Sequence, residues 1–210
     1  MARKSGSNGK KTARELQAAA TKLFAQYGYA AVSMRQIAAE VGVQAGALYL
    51  YTPDKQTLLF QIMDRHMADL LDAWAAESAT PVAGPMARLE QFVRFHIRFH
   101  LDRVDAVFIA YMELRNLSEE NFAEIEAKRR HYEDLLAEIL GEGSRAGVFQ
   151  LCDPKLTSYA IIAMLTGVTT WFRGDGRLTV DRIEEIYVNM VRGLVLQAGP
   201  VPKTEGSPKV

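Results

Sequence analysis

Apolar residues recur at helical spacing along nearly the whole chain, and no segment reads convincingly as a strand. Leu16, Ala19, Ala20, Leu23 and Phe24 predict a first helix over 12–27, opened by a Thr12/Glu15 capping box and stopped at Gly28. Ser33 followed by Gln36 is a second capping box, so a second helix starts at Ser33 and carries Ile37, Ala38 and Val41 inward. Gly42 stands where a left-handed residue must end that helix. A short third helix then begins near Gln44, its Leu48 joining Val43 of the preceding turn in the same small core, runs into the aromatics Tyr49 and Tyr51, and is ended by Pro53. Asp54 or Thr52 caps a fourth helix with Leu58, Leu59, Ile62, Met63, Met67, Leu70, Leu71 and Trp74 on its apolar side.

Beyond a helix-breaking loop over 78–85, five further helical segments or fragments follow. Residues 86–101 place Leu89, Phe92, Val93, His96 and His100 on one face. The stretch 104–116 clusters Val107, Phe108, Tyr111, Met112 and Leu114. A charged helix over 119–140 carries Phe122, Ile125, Tyr132, Leu135, Leu136, Ile139 and Leu140 and ends at Gly141. Asp153 and Pro154 open a nearly uncharged helix to about 172, which must be covered on most sides. Thr179 opens the last helix, to about 197, with Ile183, Ile186, Tyr187, Met190, Val191, Leu194 and Val195 inward. Gly193 near its middle points to a close helix–helix contact between subunits.

The resulting fold class is all-α: a three-helix head with a helix-turn-helix, and a helical C-terminal domain. The expected organisation is a disordered basic arm over 1–11, the head over 12–58, the helical domain over 59–198 and a flexible tail over 199–210. A length of 210 residues suits two such units. No run approaches the roughly 18 apolar residues of a membrane helix and the N-terminus lacks an apolar signal core, so a soluble, cytoplasmic protein with no membrane partner is expected. The single Cys152 excludes an internal disulfide and a cysteine-rich zinc site, leaving a buried or incidental thiol.

Net charge is zero, but unevenly distributed. Residues 1–60 hold eight basic side chains against three acidic; the rest hold 17 against 22. The basic excess sits with the helix-turn-helix, where cations neutralise phosphates and release counterions. Duplex DNA is therefore the expected partner. Ser33, at a helix N-terminus, suits a phosphate; Arg35 in the same turn can take a base or a phosphate. Ala45 and Gly46 keep the exposed face of the third helix low, so that its backbone can approach a groove wall. Tyr49 and Tyr51 can donate to backbone oxygens, and Lys55 is expected to hold a phosphate by charge.

The stretch Ser33 to Lys55, behind a first helix ending Leu-Phe-Ala-Gln-Tyr-Gly-Tyr at 23–29, resembles the tetracycline-repressor (TetR) family of one-component regulators. The match is specific over 12–60; beyond it, the resemblance lies in length, helical content and the Gly-x-Phe turn at Gly147 to Phe149. The resemblance implies a homodimer in which the last two long helices form a four-helix bundle, a ligand pocket in each C-terminal domain, and a phosphate contact for Tyr49. Two positions depart from the family pattern. Thr52 replaces an aromatic before the proline, and Gln44 replaces the Ser or Thr that often opens the recognition helix. Gln can bond adenine N6 and N7 together in the major groove, so Gln44 is expected to read a base. A dimer implies an inverted-repeat operator.

Thr169 to Thr179, Thr-Thr-Trp-Phe-Arg-Gly-Asp-Gly-Arg-Leu-Thr, looks like the segment between the eighth and ninth helices of members that sense acyl-coenzyme A thioesters. A helix end covered by Trp171 and Phe172 and turned by Gly174 and Gly176 accounts for the same residues without a ligand. The expected function is a repressor released from a palindromic operator by a small-molecule effector, with an acyl-CoA leading. A drug-like ligand of an efflux repressor, or an interaction module without operator binding, is the alternative. Candidate pocket residues are Phe92, Phe95, His96, Phe99, Phe108, Tyr111, Met112, Arg115, Met164 and Trp171. Arg94, Arg98, Arg115 and Arg173 are available for the phosphates of an acyl-CoA.

His96 and His100 have a spacing that can hold a metal, but their aromatic neighbours Phe92, Phe95 and Phe99 point to core or pocket lining, and no metal site is expected. The glycines of 141–147 follow a helix rather than a strand and suit a cap and turn. No nucleophile elbow, P-loop or metal cluster is present in the sequence, so no enzyme, no catalytic residue and no cofactor is expected.

Overall fold

The computed structural model describes residues 5–196. Its elements are α1 (Ser5–Tyr27), α2 (Met34–Val41), α3 (Ala45–Leu48), α4 (Lys55–Ser78), α5 (Gly84–Leu101), α6 (Val104–Met112), a 3-10 turn (Leu114–Asn116), α7 (Glu119–Arg145), α8 (Pro154–Thr166), α9 (Val168–Trp171) and α10 (Val180–Leu196). Among the described residues there is no strand, and no helix is long and apolar enough to cross a membrane. The tail expected over 199–210 and the first four residues of the arm lie outside them.

Two compact units divide the chain: residues up to 73 with 102–129, and 74–101 with 130 onward. In the first, α1 packs on α2 and α6. Leu16, Ala20 and Phe24 are buried together with Ile37, Ala38 and Leu48, while Val41 and Val43 are half-buried. In the second, α5 packs on α8, α9 and α10. Its core holds Leu89, Phe92, Ile97, Leu136, Ile161 and Val191.

Several expected boundaries move. The segment expected as a disordered arm is helical from Ser5, so Thr12 lies inside α1 and is no N-cap. No proline interrupts this stretch, and Lys11 pairs with Glu15 one turn on at 3.7 Å. α3 stops at Leu48, before Pro53 can act: the amides of Leu50 and Tyr51 already bond to Ala47 and Leu48 in tight turns. The helix expected over 154–172 divides at Gly167, whose amide bonds to Ala163 at 3.1 Å. Within the single chain its Leu156 and Tyr159 are exposed, at 65% and 43%. In α6, Phe108, Tyr111 and Met112 are exposed, and the helix ends at Met112.

The local caps hold where chemistry dictated them. Asp54 caps α4, its Oδ1 accepting the Thr57 amide at 2.7 Å. Asp153 accepts the amides of Lys155 and Leu156 at 2.8 and 3.0 Å, with Pro154 opening α8. The Thr179 hydroxyl accepts the Arg182 amide at 3.3 Å ahead of α10.

α7 continues through Gly141 to Arg145, one turn further than expected, and the reason is long-range. Gly143 seats the ring of Phe149: a Cβ at 143 would lie 2.0 Å from that ring. The chain returns through Gly147, at φ +71°, and the amides of Val148 and Phe149 bond back to the Gly143 carbonyl at 2.9 and 3.0 Å. The Gly-x-Phe turn thus folds Phe149 into a slot that only glycine leaves open. Gly143→Ala is expected to lower the free energy of unfolding by about 1–3 kcal/mol, as overpacking does, visible as a lower urea midpoint. An unchanged midpoint would show that the ring has room to move.

Candidate nucleic-acid interface and effector domain

In the head, the capping box at Ser33 forms in both directions. The Ser33 hydroxyl accepts the Gln36 amide at 3.3 Å, and Gln36 Oε1 accepts the Ser33 amide at 2.7 Å. That hydroxyl also donates to Gln36 Oε1 at 2.8 Å, so Ser33 is committed to its cap. Gly42 follows at φ +75°, its amide reaching the Ala39 carbonyl, and turns the chain into α3. Gln44 is the N-cap of α3 but makes no side-chain cap bond, and its amide stands exposed. Arg35 is exposed on α2. Ala45 is half-buried. A Cβ at Gly46 would meet nothing within 4 Å, so the head's own packing does not require glycine there. Tyr49 caps the C-terminal end of α3 and is exposed, whereas Tyr51 is half-buried in the following turn. Thr52 is buried, its hydroxyl donating to the Asp54 carbonyl at 3.1 Å, which fits a small polar residue where the family pattern has an aromatic.

Lys55 has an intramolecular role that its sequence position did not announce. Its ammonium donates to the carbonyls of Tyr29 and Val32, both at 2.9 Å, and lies 4.2 Å from the centre of the Tyr29 ring. From the other side the buried carboxylate of Glu113, just past α6, accepts the Tyr29 amide at 2.9 Å and bonds the Asn116 side chain at 2.5 Å. Gln56 donates to the Asn116 carbonyl at 2.6 Å. The link between α1 and α2 is thus held by one cation and one anion. Burial, then the Asp54 and Glu113 carboxylates, push the Tyr29 phenol pKa up.

The residues chosen for an effector pocket fall in both units. Phe92, His96 and Phe99 are buried on α5; Phe95 beside them is half-buried and stacks on Trp74 and Phe99 at 5.3 and 5.6 Å. His96 is a core residue: its ring nitrogens meet the Tyr132 hydroxyl at 3.1 Å and the Thr166 hydroxyl at 3.0 Å, and its ring stacks on His100 at 3.8 Å. Among the described residues no cluster could hold a metal. Met164 and Trp171 line different cavities, the first with Cys152, Met190 and Leu194, the second with Phe172, Arg173 and Arg177. Cys152 is exposed rather than buried. Phe108, Tyr111, Met112 and Arg115 belong to the first unit and are exposed, with Arg129 over the Tyr111 ring at 4.6 Å.

Two of the four arginines considered for phosphates are already engaged. Arg94 and Arg98 pair with Glu184 of α10, which is wholly buried; Arg94 reaches it at 3.3 Å, and Arg98 adds Asp181 at 3.2 Å. Sequence reading missed Glu184 because, beside Asp181 and Glu185 on an amphipathic helix, it looks like part of a charged surface.

If the ammonium and carboxylate hold the α1–α2 link, removing either is felt in stability. Lys55→Ala and Glu113→Ala are each expected to cost about 1.5–3 kcal/mol, the range for hydrogen bonds to charged groups, read by urea denaturation. A surface lysine that served only a phosphate would leave the midpoint unchanged on removal.

Comparison with known proteins agrees with this architecture. Residues 16–62 match the model described as bacterial regulatory proteins, tetR family, and residues 82–195 match the tetracyclin repressor-like C-terminal domain. The HTH-type transcriptional repressor KstR2 of Mycobacterium tuberculosis H37Rv is 26% identical over 189 residues, spanning 88% of this chain and 93% of the relative. A tetR-family regulatory protein structure from Rhodococcus RHA1 is 30% identical with a TM-score of 0.83, covering 90% of this chain and 99% of that one. The structure of AibR in complex with isovaleryl coenzyme A and operator DNA is 28% identical with a TM-score of 0.74, covering 88% and 98%. The chain therefore belongs to the TetR family of DNA-binding transcriptional regulators, proteins that are not enzymes.

Proposed function

We propose that the protein is a homodimeric repressor that binds an inverted-repeat operator and is released by a small-molecule effector, an acyl-CoA thioester. The observation that carries the thioester is the segment 169–179. There Trp171, Phe172, Arg173 and Arg177 line one cavity of about 240 Å³, an apolar wall beside two guanidiniums, as a thioester with a phosphorylated carrier requires. With Arg94 and Arg98 paired to Glu184, Arg173 and Arg177 are the cations left for that carrier in the second unit's cavity. AibR, with its bound isovaleryl coenzyme A, supports the same chemistry.

The dimer reading rests on apolar exposure along α8 and α10. Leu156 and Tyr159 of α8 and Met190 and Leu194 of α10 are all exposed in the single chain, the last two at 53% and 45%. Gly193 lies among them, lining a groove of about 600 Å³, and a Cβ there would meet nothing within 4 Å. Its small size therefore suits a neighbour beyond the described residues, and a second copy packing α8 and α10 supplies it.

On DNA, Gln44 reads an adenine, Tyr49 and the third ammonium hydrogen of Lys55 take phosphates, and Gly46 lets the backbone approach. Arg35 and Tyr51 flank these contacts, and Ser33 contributes through its helix N-terminus rather than a free hydroxyl. By linkage, operator and effector each weaken the other by the same factor.

Gln44→Ala is expected to relax selectivity at one base pair per half-site, by about 1–3 kcal/mol, in a competition footprint over operator variants. Unchanged preference would remove Gln44 from base reading. In a mobility-shift titration, acyl-CoAs should release DNA from the wild type, and Arg173→Ala/Arg177→Ala should need at least about tenfold more acyl-CoA at unaltered DNA affinity. If acyl-CoAs from short to long chain leave the shift untouched, the thioester is not the effector.

A further inference from the structure

α3 ends after four residues, but the backbone goes on turning in the same right-handed sense. Tyr49 has φ −68° and ψ −10°, and the amides of Leu50, Tyr51 and Thr52 bond to the carbonyls of Ala47, Leu48 and Leu48 at 3.2, 3.0 and 3.2 Å. Helical spacing therefore sorts the side chains as far as Thr52. Leu48 and Thr52, four apart, are buried. Gly46 and Leu50 stand two residues before and after Leu48. At about 100–120° per residue, both lie on the side away from it, and both are exposed.

Leu50 is 82% exposed, more than any other large apolar side chain among the described residues. A single apolar residue on a surface is ordinary; its position is what distinguishes this one. In a helix-turn-helix the second helix enters the major groove, and within the matched tetR-family region that helix is α3. Its outward side carries a glycine, with no side chain to hold the duplex off, and one turn later a branched aliphatic group. Base edges in the major groove present donors, acceptors and one apolar group, the C5 methyl of thymine.

We propose that Leu50 is a specificity residue that reads a thymine, its isobutyl group packing on the C5 methyl in the major groove while Gly46 brings the turn close enough for contact. This role rests on the operator-binding reading above and adds to it a base pair read by shape and apolar contact. Cytosine in the same place has only hydrogen at C5 and an amine where thymine has O4, so it loses the contact and sets a polar donor beside leucine. Truncating Leu50 leaves the core of the head intact, because the side chain lies outside it.

The test uses the full chain and the operator it selects from a pool of random duplexes. Each thymine of the half-site is replaced in turn by deoxyuridine, in both half-sites, which removes the methyl and keeps every hydrogen-bonding group. Binding is read by fluorescence anisotropy. At one thymine the wild type should lose about fourfold in affinity per half-site, the worth of one buried methyl group. Leu50→Ala should bind the thymine and uracil duplexes alike, whereas Leu50→Met, still apolar, should keep the discrimination. Both variants should unfold at the wild-type urea midpoint. A selected half-site without thymine, a wild type indifferent to every deoxyuridine, or a penalty undiminished in Leu50→Ala overturns the proposal. So does a Leu50→Ala protein that no longer dimerises in analytical ultracentrifugation, which would make the residue a contact between copies. Each of these outcomes leaves the selected operator standing. If the wild type selects no sequence at all, the operator reading itself falls, and the role of Leu50 with it.

Discussion

The reading head depends on how the chain between α1 and α2 is held, and that hold is ionic. α3 has four residues, far below the length at which a helix is stable by itself in water, so its position is imposed by what it packs on. Leu48 is its only fully buried residue. α2, eight residues long, is fixed by its capping box at one end and the left-handed Gly42 at the other. Upstream of that box the backbone carbonyls of Tyr29 and Val32 would be left without helical partners. The Lys55 ammonium takes both, and the Glu113 carboxylate takes the Tyr29 amide. The first lysine of α4 and an acid just beyond α6 therefore set where α2, and with it α3, begins.

This arrangement ties reading to the rest of the first unit. Glu113 bonds Asn116, and Asn116 receives Gln56 from α4, so the turn after α6 holds both the α1–α2 link and the start of α4. Hydrogen bonds of this kind are directional: a shift that breaks one leaves a buried carboxylate or carbonyl unsatisfied, at a cost of about 1–3 kcal/mol. Apolar packing, by contrast, can slide. A head held mainly by apolar contacts would deform gradually; one pinned at Tyr29 has few intermediate arrangements. That gives the turn at 113–116 a physical route by which a change in α6 reaches the reading helix.

Features whose causes lie within a few residues were legible in the sequence. Ser33 with Gln36, Gly42, Asp153 with Pro154, and Thr179 behave as their local chemistry dictates, because a cap is decided by its own turn. Features decided at a distance were not. Lys55 and Tyr29 are 26 residues apart, and Glu113 and Tyr29 are 84 apart. Nothing near Lys55 distinguishes a phosphate clamp from a lysine that holds its own backbone. Gly141 reads as a helix end for the same reason: α7 runs on past it to where Gly143 seats the ring of Phe149, and nothing near Gly141 shows where that ring returns. The mismatch at α1 has another origin. Thr12 and Glu15 have the spacing of a capping box, but that spacing also fits a continuing helix, and the glycines at 6 and 9 weaken a helix without the absolute stop that a proline would impose.

α10 shows how one helix can serve two neighbours without ambiguity. Val191 and Val195 are buried on one side, yet Met190 and Leu194 are apolar and exposed on another, so hydrophobicity alone does not fix which side turns toward α5. Glu184 does. It is wholly buried and meets Arg94 and Arg98 of α5. A rotation of α10 that buried Met190 and Leu194 instead would carry Glu184 away from both guanidiniums and strand a charge, a cost of about 3–5 kcal/mol when a buried pair is broken. The ion pair therefore contributes orientation more than stability, and it leaves an apolar strip with Gly193 at its centre facing outward. The acid that looked like surface in the sequence is what keeps the apolar residues on the surface.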